Sequence, residues 1–423
     1  MFKTTRRALM VSVLGSGLMA ALPVQQVFAG GEVTISHYFT GDLGLDGLKQ
    51  IFAEFNKETG ITVKDSPIGH EDFKTGILVR AAGGNLPDVF SYWAGAKTQF
   101  IINSKSLHPI DDMWKAANLD AIVAKPVADG ATLYNGHRYL IPFGYHYAGI
   151  FYNKKILQKA GITEMPKTWD EFKAMCDKLK AAGVTPIALG SKNRWPAQFW
   201  FDYLLLRTAG PDYRAKLMAG TASYTDPEVT QAMELWKQLL EAGDFTKTPN
   251  AYDWTDAADQ VQRGDAAMTL MGTWITGYWN TNKFTDADYD FFEFPTVKDG
   301  VPRAAVGPVD GLVIAANAKN MEGAEKLLAF MISKPDVQAK WASIQGALSA
   351  NEKVDPKTYT PVMQHALDVV KHAPAFAFNY DLATPPAVSE VGLSMFSQFL
   401  DNPGDVKSML DQTQTAAAAA FKQ

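Results

Sequence analysis

The sequence predicts an α/β protein of two lobes, each a mixed, mostly parallel sheet flanked by helices. Three observations point there. Strand-like and helix-like segments alternate in two separate blocks. Two extended runs, 139–152 and 305–315, are long enough to pass from one lobe to the other. No repeat, low-complexity linker or block of charge divides the chain, so two beads on a string fit poorly. The expected partition is a leader over 1–29, a first lobe of 30–141 with about 306–358, and a second lobe of 142–305 with about 359–423.

The elements follow in order. Val33-Thr-Ile-Ser-His-Tyr reads as a strand. Leu45, Leu48, Ile51, Phe52 and Phe55 recur at helical spacing, and Gly60 stops that helix. Ile61-Thr-Val-Lys resumes as strand, Phe73 to Ala82 as helix, and Pro87 to Ser91 as a short buried strand. After the first extended run, Trp169 to Ala182 is helical. Thr168 is positioned to cap it, and Glu171 completes a capping box. Pro186-Ile-Ala-Leu-Gly is strand. Asp226 to Ala242 is a helix with Pro227 at its favoured first position. Ala266 to Gly272 is strand, and 305–315 is the return crossing. Met321 to Ser333, Asp336 to Ile344 and the alanine-rich tail are helices.

The first residues bear on where the chain works. Lys3, Arg6 and Arg7 precede an uncharged run to Leu22, and Ala29 offers a small residue for cleavage, the pattern of a secretory leader. The run is too short for a membrane span, which needs about 20 residues. No Cys follows it, so a lipoprotein anchor is not expected; a soluble protein of a Gram-negative periplasm is. Arg6-Arg7 is an incomplete twin-arginine pattern and leaves the export route open. Loss of the three leader cations takes the net charge from −5 to −8, which argues against nucleic acid as a partner. No ATP or NAD is available outside the cytoplasm, so no cofactor is expected. Cys176, the only cysteine, shares a helical face with Phe172 and Leu179 and reads as a buried structural thiol. Ten Trp, 15 Tyr and 24 Phe are enough both to fill cores and to line a site for a ligand with flat apolar faces.

One segment is more specific. Pro142-Phe-Gly-Tyr-His-Tyr-Ala-Gly-Ile-Phe-Tyr-Asn-Lys-Lys-Ile-Leu-Gln-Lys159 closely resembles the signature of family 1 extracellular solute-binding proteins, with Gly144 as its one departure. These are the receptors of ATP-binding-cassette importers, and the maltose-binding protein is a relative. Leu86-Pro-Asp-Val-Phe, Pro166-Lys-Thr-Trp-Asp-Glu-Phe, and Gly264-Asp-Ala-Ala-Met with Gly272-Thr-Trp274 are similar to further family segments, in the family's order. That order most resembles the sugar-binding branch. The resemblance implies a two-lobed periplasmic-binding-protein fold of type II-like form, a sugar in the cleft between the lobes, and membrane permease subunits as partners. A monomer is expected.

Sugars present apolar C–H faces and hydroxyl edges, so aromatic platforms and planar hydrogen-bonding groups are sought. The resemblance implies Trp274 as a platform, a contact at Asp310 and Gly311 in the return crossing, and a late aromatic contact at Tyr380. Other candidates come from position. His37, Tyr38 and Asp42 lie past the first strand, Glu71 near the end of the next, and Ser91 and Trp93 on one side of the third. Tyr145 and His146 sit in the first crossing, and Arg194 and Trp195 in a loop after a strand. Each has a plainer reading: core aromatic, capping carboxylate, satisfied histidine or solvated basic loop.

Other functions compete weakly. No Gly-x-Ser-x-Gly elbow, His-Glu-x-x-His helix or phosphate-binding loop is present, and a carboxylate pair for glycoside hydrolysis can be nominated in any chain with 45 acidic residues. An enzyme is therefore not expected. Tyr145, His146 and Tyr147 could suggest iron, but strand alternation points the two tyrosines away from the histidine. An anionic sugar derivative would suit Arg194 or Lys192.

Overall fold

The computed structural model describes residues 31–422, so the leader lies outside the described residues. The first strand, β1 (Glu32–His37), sends Val33 and Ile35 into a core. The helix Asp42–Thr59 buries Leu48, Ile51, Phe52 and Phe55 and ends at Gly60, whose φ of 73° is the left-handed turn glycine takes without a Cβ clash. β2 (Thr62–Pro67), the helix His70–Ala82 and β3 (Val89–Trp93) follow. Strands joined through a crossover helix run the same way, and β2 and β3 both pair parallel to β1.

The remaining strands of the two main sheets are β4 (Leu140–Tyr145), β5 (Ala148–Asn153), β6 (Thr185–Ile187), β7 (Ala266–Gly272), β8 (Tyr289–Phe292) and β9 (Val309–Ile314). The first sheet has the order β2-β1-β3-β9-β4 and the second β8-β5-β7-β6. Both are mixed. The parallel pairs come from strand-helix-strand units. The antiparallel ones come from strands that enter or leave at a crossing: β9 against β3 and β4, and β5 against β7 and β8.

Two apolar cores match the two sheets. One gathers Phe55, Phe90, Ile141 and Leu312; the other gathers Phe151, Trp200, Trp236 and Met268. The helix Gln198–Thr208 is buried on every side at the centre of the second core, which is why its sequence shows no amphipathic rhythm. The expected capping box at Thr168 and Glu171 forms, and Asn153 caps the preceding short helix, Lys154–Lys159, by accepting from the backbone N–H groups of Lys155 and Ile156. Cys176 is fully buried, and burial pushes its thiol well above the usual range.

Among the described residues, three connections join the lobes. β4 stays with the first sheet through Tyr145, so the first crossing lies at His146 and Tyr147, beyond the expected edge at Pro142. The return passes Gly307 and Pro308 into β9. The helix Pro361–His372 sends Val362 and Ala366 into one core and Met363 and Leu367 into the other. Among the described residues no helix is long and apolar enough to cross a membrane.

Candidate functional site

A cleft of about 610 Å³ lies between the cores. Tyr38 leaves the end of β1 and Trp93 ends the neighbouring β3, and their rings stack with centroids 4.4 Å apart and planes within 10°. The backbone N–H of Tyr38 donates to Ser91 Oγ at 3.3 Å, which holds the turn. The Tyr38 hydroxyl donates to Asp310 Oδ1 at 2.6 Å. Burial, then the charge of Asp310, raises the Tyr38 pKa far above the usual phenol range, so this group remains a donor.

The two crossings meet at Asp310. His146 Nε2 lies 3.1 Å from Asp310 Oδ2, and its Nδ1 faces Thr273 Oγ1 at 3.0 Å and the Gly346 carbonyl at 3.2 Å. One buried imidazole therefore ties together elements of both lobes.

The opposite wall starts at Trp274, the first residue of the helix Trp274–Thr281. Its indole lies back over Gly272, where a Cβ would come within 1.9 Å of the ring. The Gly-x-Trp spacing thus has a packing cause: the glycine is the bed for the indole. His146 meets the ring edge-on at 5.3 Å, and Trp195 lies at 5.9 Å. Trp195 Nε1 donates across the cleft to Glu71 Oε1 at 3.1 Å.

The polar end is built around Asp381. Lys97 Nζ donates to its Oδ2 at 2.8 Å and sits 5.0 Å over the Trp93 ring. The Asn379 amide donates to Oδ1 at 2.6 Å, and the Asp381 backbone N–H donates to Gln198 Oε1 at 2.8 Å.

Of the sequence candidates, Tyr38, Trp93, His146, Trp195, Trp274 and Asp310 line this cleft. Seven others lie elsewhere. His37 is buried with Nε2 2.7 Å from Asp65 on the adjacent strand, because alternation turns it away from the side Tyr38 takes. Ser91 is beneath the Tyr38 backbone. Glu71 lines an outer groove and holds Trp195 and His70. Tyr145 packs edge-on against Phe376 in the crossing, 6.3 Å away. Arg194 is turned outward to Glu390 at 2.7 Å and Ser394 at 3.1 Å, and Lys192 is held by Asp253. Gly311 follows a register shift in β9 and leaves room for Leu140 on the next strand, not for a ligand. Tyr380 is fully buried against the Tyr224 hydroxyl, while Asn379 and Asp381 on either side of it face the cleft. Asp42 begins a helix, but its side chain is outside the described residues. Tyr145 and Tyr147 enter different cores, so the two phenols share no site with His146.

The sequence reading missed Lys97, Gln198, Asn379 and Asp381, along with His70, Lys74, Trp254 and Tyr278. Tyr278 had a signal: it stands four residues after Trp274 and so shares its helical face. Gln198 had none, because it lies in a helix buried all round.

These groups set a pH dependence. Burial opposes ionisation of Glu71, but the His70 hydrogen bond and the Lys74 charge outweigh it and bring the carboxyl down to about 2. Asp381 is likewise lowered, with Lys97 and then Lys74 outweighing burial. Burial lowers the His70 pKa. All three bind fewer protons folded than unfolded. Their stabilisation is therefore complete above the unfolded values, near 6.5 for His and about 4 for the carboxylates, and is lost as pH falls through the folded values. Melting temperature should decline below pH 6.5, most steeply below 4. An Asp381→Asn variant should show a shallower acid limb; an unchanged limb would remove Asp381 from this account.

Comparison with known proteins gives a consistent likeness. The family pattern described as bacterial extracellular solute-binding protein matches residues 42–338. An uncharacterized ABC transporter extracellular-binding protein of Pyrococcus horikoshii is 30% identical over 376 residues, covering 84% of this chain and 81% of that one. A probable sugar-binding periplasmic protein of Mesorhizobium japonicum is 26% identical, covering 89% and 90%. Among solved structures, a bacterial solute receptor with an exclusive preference for β-D-galactopyranose superposes with a TM-score of 0.86 at 24% identity, covering 93% of this chain and all of that one. A chitin oligosaccharide binding protein gives 0.85 at 22%, with the same coverage. At such identities the superpositions establish the two-lobed fold.

Proposed function

We propose, given that this chain belongs to the family of bacterial extracellular solute-binding proteins, that it captures an uncharged carbohydrate between its lobes and delivers it to the permease of an ATP-binding-cassette importer. One observation supports this above the rest. The cleft combines aromatic faces, Trp93, Trp195 and Trp274, with charged groups that already have partners. Lys97 is paired with Asp381, Lys74 with Glu71, and Asp310 with Tyr38 and His146. Such pairs offer hydrogen bonds to hydroxyls without demanding a counter-charge. With Arg194 turned outward, the anionic-sugar alternative loses its best cation.

The leader supports export to a Gram-negative periplasm, with cleavage near Ala29 and a freely diffusing monomer as the product. The work of such a receptor is closure. Groups from both lobes touch the ligand, and it shifts the open–closed equilibrium by its greater affinity for the closed form. A micromolar dissociation constant, about −8 kcal/mol, retains a nutrient yet releases it to a transporter.

A thermal-shift screen tests the reading. Neutral sugars should raise the melting temperature, because a ligand that binds only the folded form stabilises it. A larger shift with uronic acids or sugar phosphates than with any neutral sugar would overturn the uncharged class. Cleavage of an oligosaccharide with turnover would overturn the receptor reading.

A further inference from the structure

The cleft is longer than its inner aromatic cluster. Trp274, Gly277, Tyr278 and Thr281 all line it and are spaced i, i+3, i+4 and i+7, so one face of their helix runs along the wall. At 1.5 Å rise per residue that face is roughly 10 Å long, more than one pyranose ring occupies. Gly277 lets the wall sit close against the other lobe, since a Cβ there would lie 2.7 Å from the Ile344 carbonyl oxygen.

Aromatic surface recurs along this wall. Trp274 is at the inner end with Trp195. One turn on, about 6 Å along the axis, Tyr278 stands beside Trp254, ring centroids 5.3 Å apart. Both are only partly buried. The Tyr278 hydroxyl donates to Asp259 at 2.9 Å, which fixes its ring. Beyond them Trp254 and His70 also line a second groove of about 310 Å³, which carries Asn193, Asp253 and Glu71. Asp253 there accepts from Asn193 and Lys192, and Glu71 from Trp195 and Lys74, so its carboxylates too are occupied.

We propose that the ligand has at least two sugar rings, the inner one seated at Trp274 and Trp195 and the outer one on Trp254 and Tyr278. This rests on the carbohydrate reading above. Two aromatic platforms one helical turn apart suit successive rings of a glycosidic chain, each offering a C–H face. The adjoining groove gives a longer chain a way out.

The test is calorimetry with glucose, galactose, mannose and xylose against the di- and trisaccharides built from each. Some disaccharide should bind at least roughly tenfold tighter than its monosaccharide. Trp254→Ala should bring that disaccharide to within about threefold of the monosaccharide, leave monosaccharide affinity within about twofold, and leave the unliganded protein folded by circular dichroism. Trp254→Phe keeps a ring and should retain most of the gain. Monosaccharides binding as tightly as every longer sugar would overturn the proposal while leaving the carbohydrate reading intact. Equal losses for both lengths in Trp254→Ala would overturn the outer site. If no sugar of any length binds, the carbohydrate reading fails and the proposal with it.

Discussion

A Gly307→Ala substitution is expected to cost about 3 kcal/mol of stability, at the upper end of the range for overpacked sites, and to weaken ligand binding as well. The added Cβ would sit 1.8 Å from the His146 carbonyl oxygen and 2.7 Å from its carbon. Both are backbone atoms, so no side-chain rotation can relieve the clash. His146 lies in the outward crossing and Gly307 in the return, and the His146 N–H donates to the Pro308 carbonyl at 3.0 Å. To admit a methyl group the two connections must separate. That separation also pulls His146 from Asp310 and Thr273, the bonds that tie the crossings to both cleft walls. Gly130→Ala is the matched control: it lies in the helix Lys125–Thr132, and a Cβ there meets nothing within 4 Å. In that position alanine should be neutral or stabilising by about 0.5–1 kcal/mol. Chemical denaturation of both variants decides the matter, and equal midpoints would show that the crossings are not in rigid contact.

The course of the chain was legible where local chemistry decides it. Gly60 stops a helix, Thr168 and Glu171 cap another, and Pro227 opens a third; all need only neighbours in sequence. The Pro142–Lys159 segment places the first crossing, but not its exact residue, because a strand can leave a sheet at any point along an extended run. The site was legible in part for a different reason. Tyr38 and Trp93 stand at strand ends, and Trp274 follows a glycine that makes room for it, so position alone singles them out. Direction within such a segment was harder. At His37–Tyr38, Tyr145–His146 and Tyr380–Asp381, one residue of each pair lines the cleft and its neighbour is buried away from it. A one-residue shift at a strand end or a single helical turn exchanges them, and spacing does not decide which way it goes. The polar end was least legible. Lys97, Gln198 and Asp381 come from helices far apart in sequence, and only tertiary packing brings them together.

Trp274→Ala should reduce sugar affinity by about 2–3 kcal/mol, roughly 30- to 150-fold. The indole is half-buried, and a sugar face would cover the rest, on the order of 100 Å² at about 25 cal/mol per Å². A loss of affinity in this variant alone would be ambiguous, because the ring also packs against His146, Trp195 and Phe199. Gly272→Ala separates the two roles. It leaves Trp274 in the chain but sets a Cβ 1.9 Å from the ring, so the indole must swing away from its bed. If Trp274 acts as a platform, Gly272→Ala should lose affinity comparably by calorimetry while retaining a tryptophan. If binding depends only on an apolar side chain filling that wall, Trp274→Leu should preserve it. Undiminished affinity in both Trp274→Ala and Gly272→Ala would take Trp274 out of the site and shift the inner ring to the Tyr38–Trp93 stack on the opposite lobe, whose ring centroids lie 4.4 Å apart.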